Sequence, residues 1–212
     1  MNAAPGRALF RALKDATIAG APTLVLPVGS PVRATLRPIA TVPGKTDAHD
    51  VRLLSEWRNR HVKSFLTEFI ADDVRTAQWL SGPIHGNDGK MLFMLDGVDG
   101  EPLGHLGLGF IDWDARYGEA DAIVSGGASP PGLMKLALQT LLHWGRTQLG
   151  LQNLAVRVRS DNPAVAFYEK VGFREFQRVP LAVKRNAAGA EWFEEPTLAN
   201  AEASLVHMRY EA

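Results

Sequence analysis

The stretch that decides the fold runs from residue 162 to residue 173 and reads Asn-Pro-Ala-Val-Ala-Phe-Tyr-Glu-Lys-Val-Gly-Phe. Asn162 is of a type that caps helices, and Pro163 suits the first helical position. Gly172 suits the left-handed residue that ends a helix before a new strand. These signals predict a short helix followed by a strand, but they leave the adjacent aromatic pair Phe167-Tyr168 unexplained.

The remaining sequence predicts an alternation of strands and helices around this stretch. Apolar residues recur on most sides of the segment from Leu133 to Gln148, which is typical of a buried helix. Turn residues between two apolar runs, 91–95 and 103–111, predict a β-hairpin. Further helices are predicted at 7–18, from Asp47 onward and at 72–80, and further strands at 23–26, 32–39, 119–125, 154–158, 173–179 and 205–210. This order favours an α/β or α+β fold with helices packed on a mixed sheet.

Length and composition indicate one soluble domain. With 212 residues, the chain is expected to form a domain at 36–212 preceded by an extension at 1–35. The first 46 residues contain six basic residues and one acid, so this part is interpreted either as a docked extension or as a transit peptide. No run approaches a membrane span of about 20 apolar residues, and a cytoplasmic protein is expected.

Charge and cysteine content exclude several classes of function. The 23 basic and 23 acidic residues cancel, so no global field recruits nucleic acid or an anionic membrane. The absence of cysteine removes a cysteine nucleophile and thiolate metal sites. We expect no metal cofactor.

A cluster of breakers, residues 126–132, lies between the strand at 119–125 and the helix at 133–148. Small residues that lead into a helix present unpaired N–H groups beside the positive end of the helix dipole. The segment is interpreted as a site for a pyrophosphate, although many such turns serve only as connections.

The stretch 162–173 resembles a motif of the GNAT family of N-acetyltransferases in residue order and spacing. The matching residues are Asn162, Ala166, Phe167, Tyr168, Gly172 and Phe173. The resemblance covers roughly 36–210 and implies a mostly antiparallel central sheet, flanked by helices, with two splayed parallel strands at 120–126 and 154–158. It also implies acetyl-CoA as acyl donor and direct attack of a primary amine on the thioester.

The resemblance assigns the residues that contact acetyl-CoA. Backbone N–H groups near Ile123, Val124 and Ser125 are expected to bind the thioester carbonyl. The pyrophosphate is assigned to the loop and helix start, and the pantetheine to the late motif. These additional contacts are Ser129, Gly132, Leu133, Met134, Asn162 and Phe167. The loop departs from the family pattern, which usually has Arg or Gln in place of Ser129 and Gly in place of Met134.

Four residues are candidates for proton transfer, three as the base and one as the acid. Glu119 and Asp121 occupy alternate positions and therefore share one strand face. Two close carboxylates favour protonation of one of them, which suits a base near neutrality, and Glu119 is the first choice. His105 is the next candidate, and solvated acids on an open face are the alternative. The resemblance places Tyr168 as the acid that protonates the departing thiolate.

The acceptor is assigned from a shorter match. The run Trp57-Arg58-Asn59 is similar to the first helix of family branches that acetylate nucleotide-linked amino sugars or protein N-termini. A small-molecule amine, first a nucleotide-linked amino sugar, is the expected acceptor, with a protein N-terminus second. A buried Trp with two solvated neighbours is the alternative for this run. An acyl-CoA-binding domain without catalysis is the rival function, and the insert at 181–203 is expected to cover the acceptor site or to form a homodimer contact.

Overall fold

The computed structural model describes residues 3–127, 129–187 and 189–212. The helices of this part of the chain are α1 (Ala3–Ala16), α2 (Ala48–Arg60), α3 (Asp73–Trp79), α4 (Leu133–Thr147) and α5 (Ala164–Val171). A 3-10 turn lies at Val62–Ser64, and a π-helical turn lies at Leu80–Ile84. The strands are β1 (Leu26–Val28), β2 (Ala34–Pro38), β3 (Met91–Gly97), β4 (Pro102–Asp112), β5 (Tyr117–Ser125), β6 (Asn153–Arg159), β7 (Phe173–Asn186), β8 (Gly189–Glu194) and β9 (Ala203–Tyr210).

These strands form one sheet in the order β1-β2-β3-β4-β5-β6-β9-β7-β8. Neighbouring strands within the described residues run antiparallel except β5 and β6, which run parallel. Helix α4 connects this parallel pair, as a crossover connection requires. The predicted fold class, a mixed and mostly antiparallel sheet flanked by helices, is confirmed.

Short-range signals explain where the central helices begin. The Asp47 side chain accepts hydrogen bonds from the backbone N–H groups of His49 and Asp50, which fixes the start of α2. The Asn162 Oδ1 accepts from the Ala164 N–H at 2.9 Å ahead of α5. Gly172, with φ 123°, ends that helix in a backbone conformation that favours glycine.

The sheet separates two apolar cores. The larger core contains α1, α4 and α5, and it includes Phe173, whose complete burial contributes about 1.5–3 kcal/mol. The smaller core lies on the opposite face beneath α2 and α3 and includes Trp57 and Val124. The candidate site lies on this second face, beside α2.

The N-terminal segment packs on the same domain. Helix α1 contributes the fully buried Phe10 to the larger core, and the Lys14 Nζ donates to the Ile84 carbonyl at 2.9 Å. Strand β1 pairs with β2, and the predicted boundary at 35/36 lies within β2. The described residues before 36 therefore pack on the sheet and its larger core.

The insert at 181–203 contains a hairpin that the sequence patterns did not reveal. Strand β7 extends to Asn186, past the predicted end at residue 179, and pairs with β8. Asn186 pairs with Gly189 at the end of this hairpin, and Ala188 between them lies outside the described residues. Among the described residues, no helix has both the length and the apolar character of a membrane span.

Candidate active site

The parallel pair β5 and β6 separates at the centre of the sheet. The two strands pair from Tyr117 opposite Asn153 to Glu119 opposite Ala155, and the pairing stops there. Both strands continue, β5 to residue 125 and β6 to residue 159. A gap therefore opens above Glu119, at the position that the resemblance predicted.

A bulge in β5 accompanies this gap. His105 on β4 pairs with Val124, but Gly107 pairs with Asp121, so β5 has one extra residue in this interval. Ala122 within the bulge has φ 50°, an uncommon value for a residue other than glycine. A bulge interrupts the ladder of hydrogen bonds and re-aims side chains.

Glu119 lies where the strands part, and its carboxylate is fully engaged. It is 5% exposed. The Tyr117 hydroxyl donates to Oε1 at 2.6 Å, and the Arg157 Nε donates to Oε2 at 2.8 Å. Burial and this carboxylate raise the pKa of Tyr117.

Asp121 lies on the same face, next to a different cation. The Lys90 Nζ is 2.5 Å from the Asp121 Oδ2. A Cβ at Gly109 would lie 2.6 Å from that oxygen, so glycine gives the carboxylate its space. The predicted shared face is present. Each of the two carboxylates has its own cation within contact distance, Lys90 for Asp121 and Arg157 for Glu119.

His105 lies behind the bulge and is 4% exposed. Its ring stacks on Trp57 with a centroid distance of 6.0 Å, and its Nδ1 has no hydrogen-bond partner in the described part of the chain. Burial lowers the pKa of His105 to about 4. The imidazole is therefore neutral near pH 7, and it is held by Trp57 rather than by a carboxylate.

Tyr168 approaches the gap from the larger core. Its ring packs edge-on against Phe167 and Phe173, with centroid distances of 5.3 and 5.7 Å. Burial, and then the charge of Asp121, raise the pKa of Tyr168. The phenol therefore stays protonated near neutral pH, as a proton donor must.

The loop that precedes α4 retains amide donors despite its two prolines. The N–H of Ser129 donates to the Gly127 carbonyl, and that of Leu133 donates to the Pro130 carbonyl. In contrast, the N–H groups of Gly132, Met134 and Lys135 have no backbone acceptor within the described ranges. Ala128 of this loop lies outside the described residues. Three free donors at the start of a 15-residue helix form an anion-binding end.

Arg60 adds a positive charge beside this loop, and the sequence analysis missed it. Its Nη1 donates to the Gly126 carbonyl, where the loop begins. Arg60 is exposed and has no carboxylate partner among the residues that the structure describes. Its place at the end of α2 gave no signal, because the approach of α2 to Gly126 is a tertiary contact.

The other predicted cofactor residues have mixed environments. Val124 is buried against Trp57, and Ile123 packs on the larger core. The Ser125 Oγ donates to the Gly127 carbonyl at 3.2 Å. The Asn162 Nδ2 donates to the Ser64 carbonyl at 3.3 Å, which links α5 to the segment after α2.

The run Trp57-Arg58-Asn59 organises the segment that follows α2. Asn59 exchanges two hydrogen bonds of 2.8 Å with the backbone of Ala71. Arg58 donates to the Thr67 carbonyl and stacks on Phe65 and Phe69. A Cβ at Gly126 would lie 2.3 Å from the Trp57 ring, so the end of β5 rests directly on it. All three side chains have intramolecular partners.

The hairpin of the insert, β7 and β8, contacts the segment that follows α2 at residues 66–68. The Glu68 N–H donates to the Ala190 carbonyl, and the Trp192 N–H donates to the Leu66 carbonyl. The Glu68 carboxylate accepts hydrogen bonds from the Trp192 Nε1 at 3.0 Å and from the Arg159 Nη1 at 3.2 Å. Arg159 and Arg157 share one face of β6, so the Glu68 and Trp192 side chains lie on the same face of the sheet as Glu119.

Comparisons with known proteins give a family and a fold. A model of the Acetyltransferase (GNAT) family matches residues 50–173, more than half of the chain. A search of curated proteins gave no match. A solved spermidine N-acetyltransferase from Vibrio cholerae, in complex with CoA and spermine, is similar with a TM-score of 0.64 and 19% identity, over 84% of this chain and 94% of that one.

A second solved structure agrees with the first. It is a chimeric spermidine N-acetyltransferase from Vibrio cholerae and hSSAT, with a TM-score of 0.64 and 19% identity, over 84% of this chain and 95% of that one. At this identity the likeness concerns the fold. The family match, together with the parted strands β5 and β6, establishes that the chain belongs to the GNAT family of acetyl-CoA-dependent N-acetyltransferases.

Proposed function

We propose that this protein transfers the acetyl group of acetyl-CoA to the primary amine of a nucleotide-linked amino sugar, by direct attack in a ternary complex. The observation that carries the proposal is the gap above Glu119, which has a carboxylate on one side and a protonated phenol on the other. These are the two groups that proton transfer requires.

The donor is proposed to lie along the end of β5. The thioester carbonyl would face the amides of residues 123–125, beyond the bulge. The pyrophosphate would meet the free amides at the start of α4, with Arg60 beside them. Arg60 thereby supplies a positive charge beside the loop, in which Ser129 stands where the family usually has Arg or Gln.

Glu119 is the proposed acceptor of the ammonium proton, and Tyr168 the proposed donor to the thiolate. The hydrogen bonds from Tyr117 and Arg157 orient the Glu119 carboxylate at the point where the strands part. His105 is the alternative base, since its free Nδ1 lies beside the bulge.

The charges of this face favour an acceptor that is itself partly anionic. Each carboxylate of Glu119, Asp121 and Glu68 is matched by a cation. A polycation gains little from acids that are already compensated. Phe110 is 58% exposed, and its ring centroid lies 4.4 Å from the Arg157 guanidinium carbon. An exposed ring beside a guanidinium suits a planar, anionic ligand.

A polyamine is the second candidate, because the similar solved structures are spermidine N-acetyltransferases. A protein N-terminus is the third. Release of free CoA thiol, measured with a UDP-linked amino sugar, with spermidine and with a short peptide, distinguishes these acceptors. We expect the highest kcat/KM with the amino sugar, and a higher value for spermidine would overturn the acceptor assignment.

A domain that binds acyl-CoA without catalysis is the remaining alternative. Calorimetric titration with acetyl-CoA tests donor binding directly. Absence of binding at millimolar concentration would exclude the enzyme. Tight binding without thiol release in the presence of any of the three acceptors would favour the binding domain.

A further inference from the structure

A cavity of about 390 Å³ lies at the N-terminal ends of β5 and β6, where the two strands are still paired. It is away from the loop at 126–132 that precedes α4. It is lined by Asp112, Ala115, Tyr117, Asn153, Leu154, Ala155, Phe176 and Arg209. Ligand pockets are commonly about 300–1,000 Å³. The cavity is therefore large enough for a substantial part of a small ligand.

The cavity is connected to the candidate base through one side chain. Tyr117 lines it, and the same Tyr117 hydroxyl donates to Glu119 at 2.6 Å. Ala155 also lines it and pairs with Glu119 in the last step of the parallel ladder. A ligand in the cavity therefore lies next to the last paired residues of β5 and β6, where the gap opens.

Arg209 and Asp112 are the charged residues that line this cavity, and the Asp112 Oδ1 already accepts hydrogen bonds from the backbone N–H groups of Asp114 and Ala115. The residue that favours an anionic ligand is Arg209. It is exposed and has no carboxylate partner in the described part of the chain. Its cross-strand neighbours are Ala155 on β6 and Arg174 on β7, so a second cation rather than an acid stands opposite it. Like charges directly opposite in a sheet are unfavourable, and a bound anion would relieve this repulsion.

Two exposed aromatic residues lie on this face, Phe176 in the cavity lining and Phe110 next to the Arg157 that contacts Glu119. Phe176 is 52% exposed, and its ring centroid lies 5.0 Å from the Arg209 guanidinium carbon. Phe110 lies against the Arg157 guanidinium. Both aromatic residues lie where the strand register shifts, and Phe110 has φ 51°. Bulges turn these large apolar side chains toward solvent, where burial does not explain them.

We propose that this cavity is the anchoring subsite for the nucleoside diphosphate part of the acceptor. Arg209 contacts the phosphates, and Phe176 stacks on a planar ring, while the sugar amine lies over Glu119. The proposal rests on the proposed function for its choice of acceptor. It assigns a binding role to Phe176 of β7 and Arg209 of β9. Both residues lie outside the motif at 162–173 and outside the loop at 126–132.

The test is calorimetric titration of the full chain with UDP in the presence of saturating acetyl-CoA, which keeps the donor site filled. We expect UDP to bind, and we expect Arg209→Ala to weaken binding about tenfold because a charge-assisted contact to phosphate is lost. Phe176→Ala should weaken UDP but leave inorganic pyrophosphate unchanged, since pyrophosphate has no ring to stack.

Arg178→Ala is the matched control. Arg178 is also an exposed arginine of this sheet, but it pairs with Glu175 and lies opposite Val206, which faces the larger core. This variant should bind UDP like the wild type. Equal UDP affinity in the wild type and in Arg209→Ala, or no UDP binding at all, would overturn the subsite.

The failure of the proposed function gives a different result. If UDP binds and Arg209→Ala weakens it, but no thiol is released with a UDP-linked amino sugar, the subsite stands and the acceptor assignment fails. If the amino sugar is acetylated with the same KM in Arg209→Ala and in the wild type, the reaction stands and the subsite fails.

Discussion

The Arg157 Nε donates a 2.8 Å hydrogen bond to the Glu119 Oε2 from one parting strand to the other. Glu119 is the last residue of β5 that pairs with β6, and Arg157 lies two residues beyond its partner Ala155. The bond therefore joins the two strands at the first step where backbone pairing has ceased. It orients the candidate base at the entrance of the gap.

Glu119→Gln should lower kcat by about a hundredfold or more, because the amide cannot accept the ammonium proton. The dissociation constant of acetyl-CoA should stay unchanged, since the proposed place of Glu119 is beside the acceptor and not beside the donor. Thiol release and calorimetry measure the two quantities. Glu101→Gln, at an exposed turn, is the control. An unchanged kcat would transfer the role of base to His105.

Tyr168→Phe should reduce kcat and retain acetyl-CoA binding, because only the hydroxyl is removed from a buried ring. The pKa of Tyr168 is raised, so the donor form persists to a higher pH than that of a free tyrosine, about 10. The profile of kcat against pH should therefore show no loss from this group up to about pH 10. Equal turnover in the variant and the wild type would remove Tyr168 from the reaction.

Arg60→Ala should weaken acetyl-CoA binding about tenfold, because a guanidinium beside the free amides of α4 is lost. Added salt should reduce the difference between the variant and the wild type. Arg52→Ala is the control, since Arg52 is an exposed arginine of the same helix that approaches Glu56. Identical affinities in both variants would show that the loop binds the pyrophosphate without Arg60.

His105 should make the fold sensitive to acid. Its pKa is lowered to about 4 in the folded chain and is about 6.5 when unfolded, so the unfolded chain binds more protons between these values. Stability should therefore fall as the pH falls from about 6.5 to about 4, by up to roughly 3 kcal/mol.

Urea unfolding at several pH values measures this loss. His105→Phe should reduce the loss of stability at acid pH, because the replacement has no group that titrates. His143→Gln, at an exposed position of α4, should leave that loss of stability unchanged. A wild-type stability that does not vary between pH 6.5 and 4 would contradict the expectation.

Short-range patterns predicted the central elements well. Asp47, Asn162 and Gly172 marked helix ends through their own backbone and side-chain chemistry. Strand β8 escaped prediction because its pairing with β7 and its contact with the segment at 66–68 depend on packing. The partners of Phe10, Lys90 and Arg157 could not be predicted for the same reason, since these residues reach their partners only in the folded chain.

The sequence by itself determined the family motif at 162–173, the order of the central strands and helices, and the alternation that places Glu119 and Asp121 on one face. These properties depend on residues close together along the chain. Only the tertiary structure decided which cation meets each carboxylate, that Arg60 reaches the loop at 126–132, and that Arg209 lies beside Phe176 with no carboxylate partner among the described residues. Those relationships join strands and helices that are distant in sequence, and side-chain periodicity carries no information about such distances.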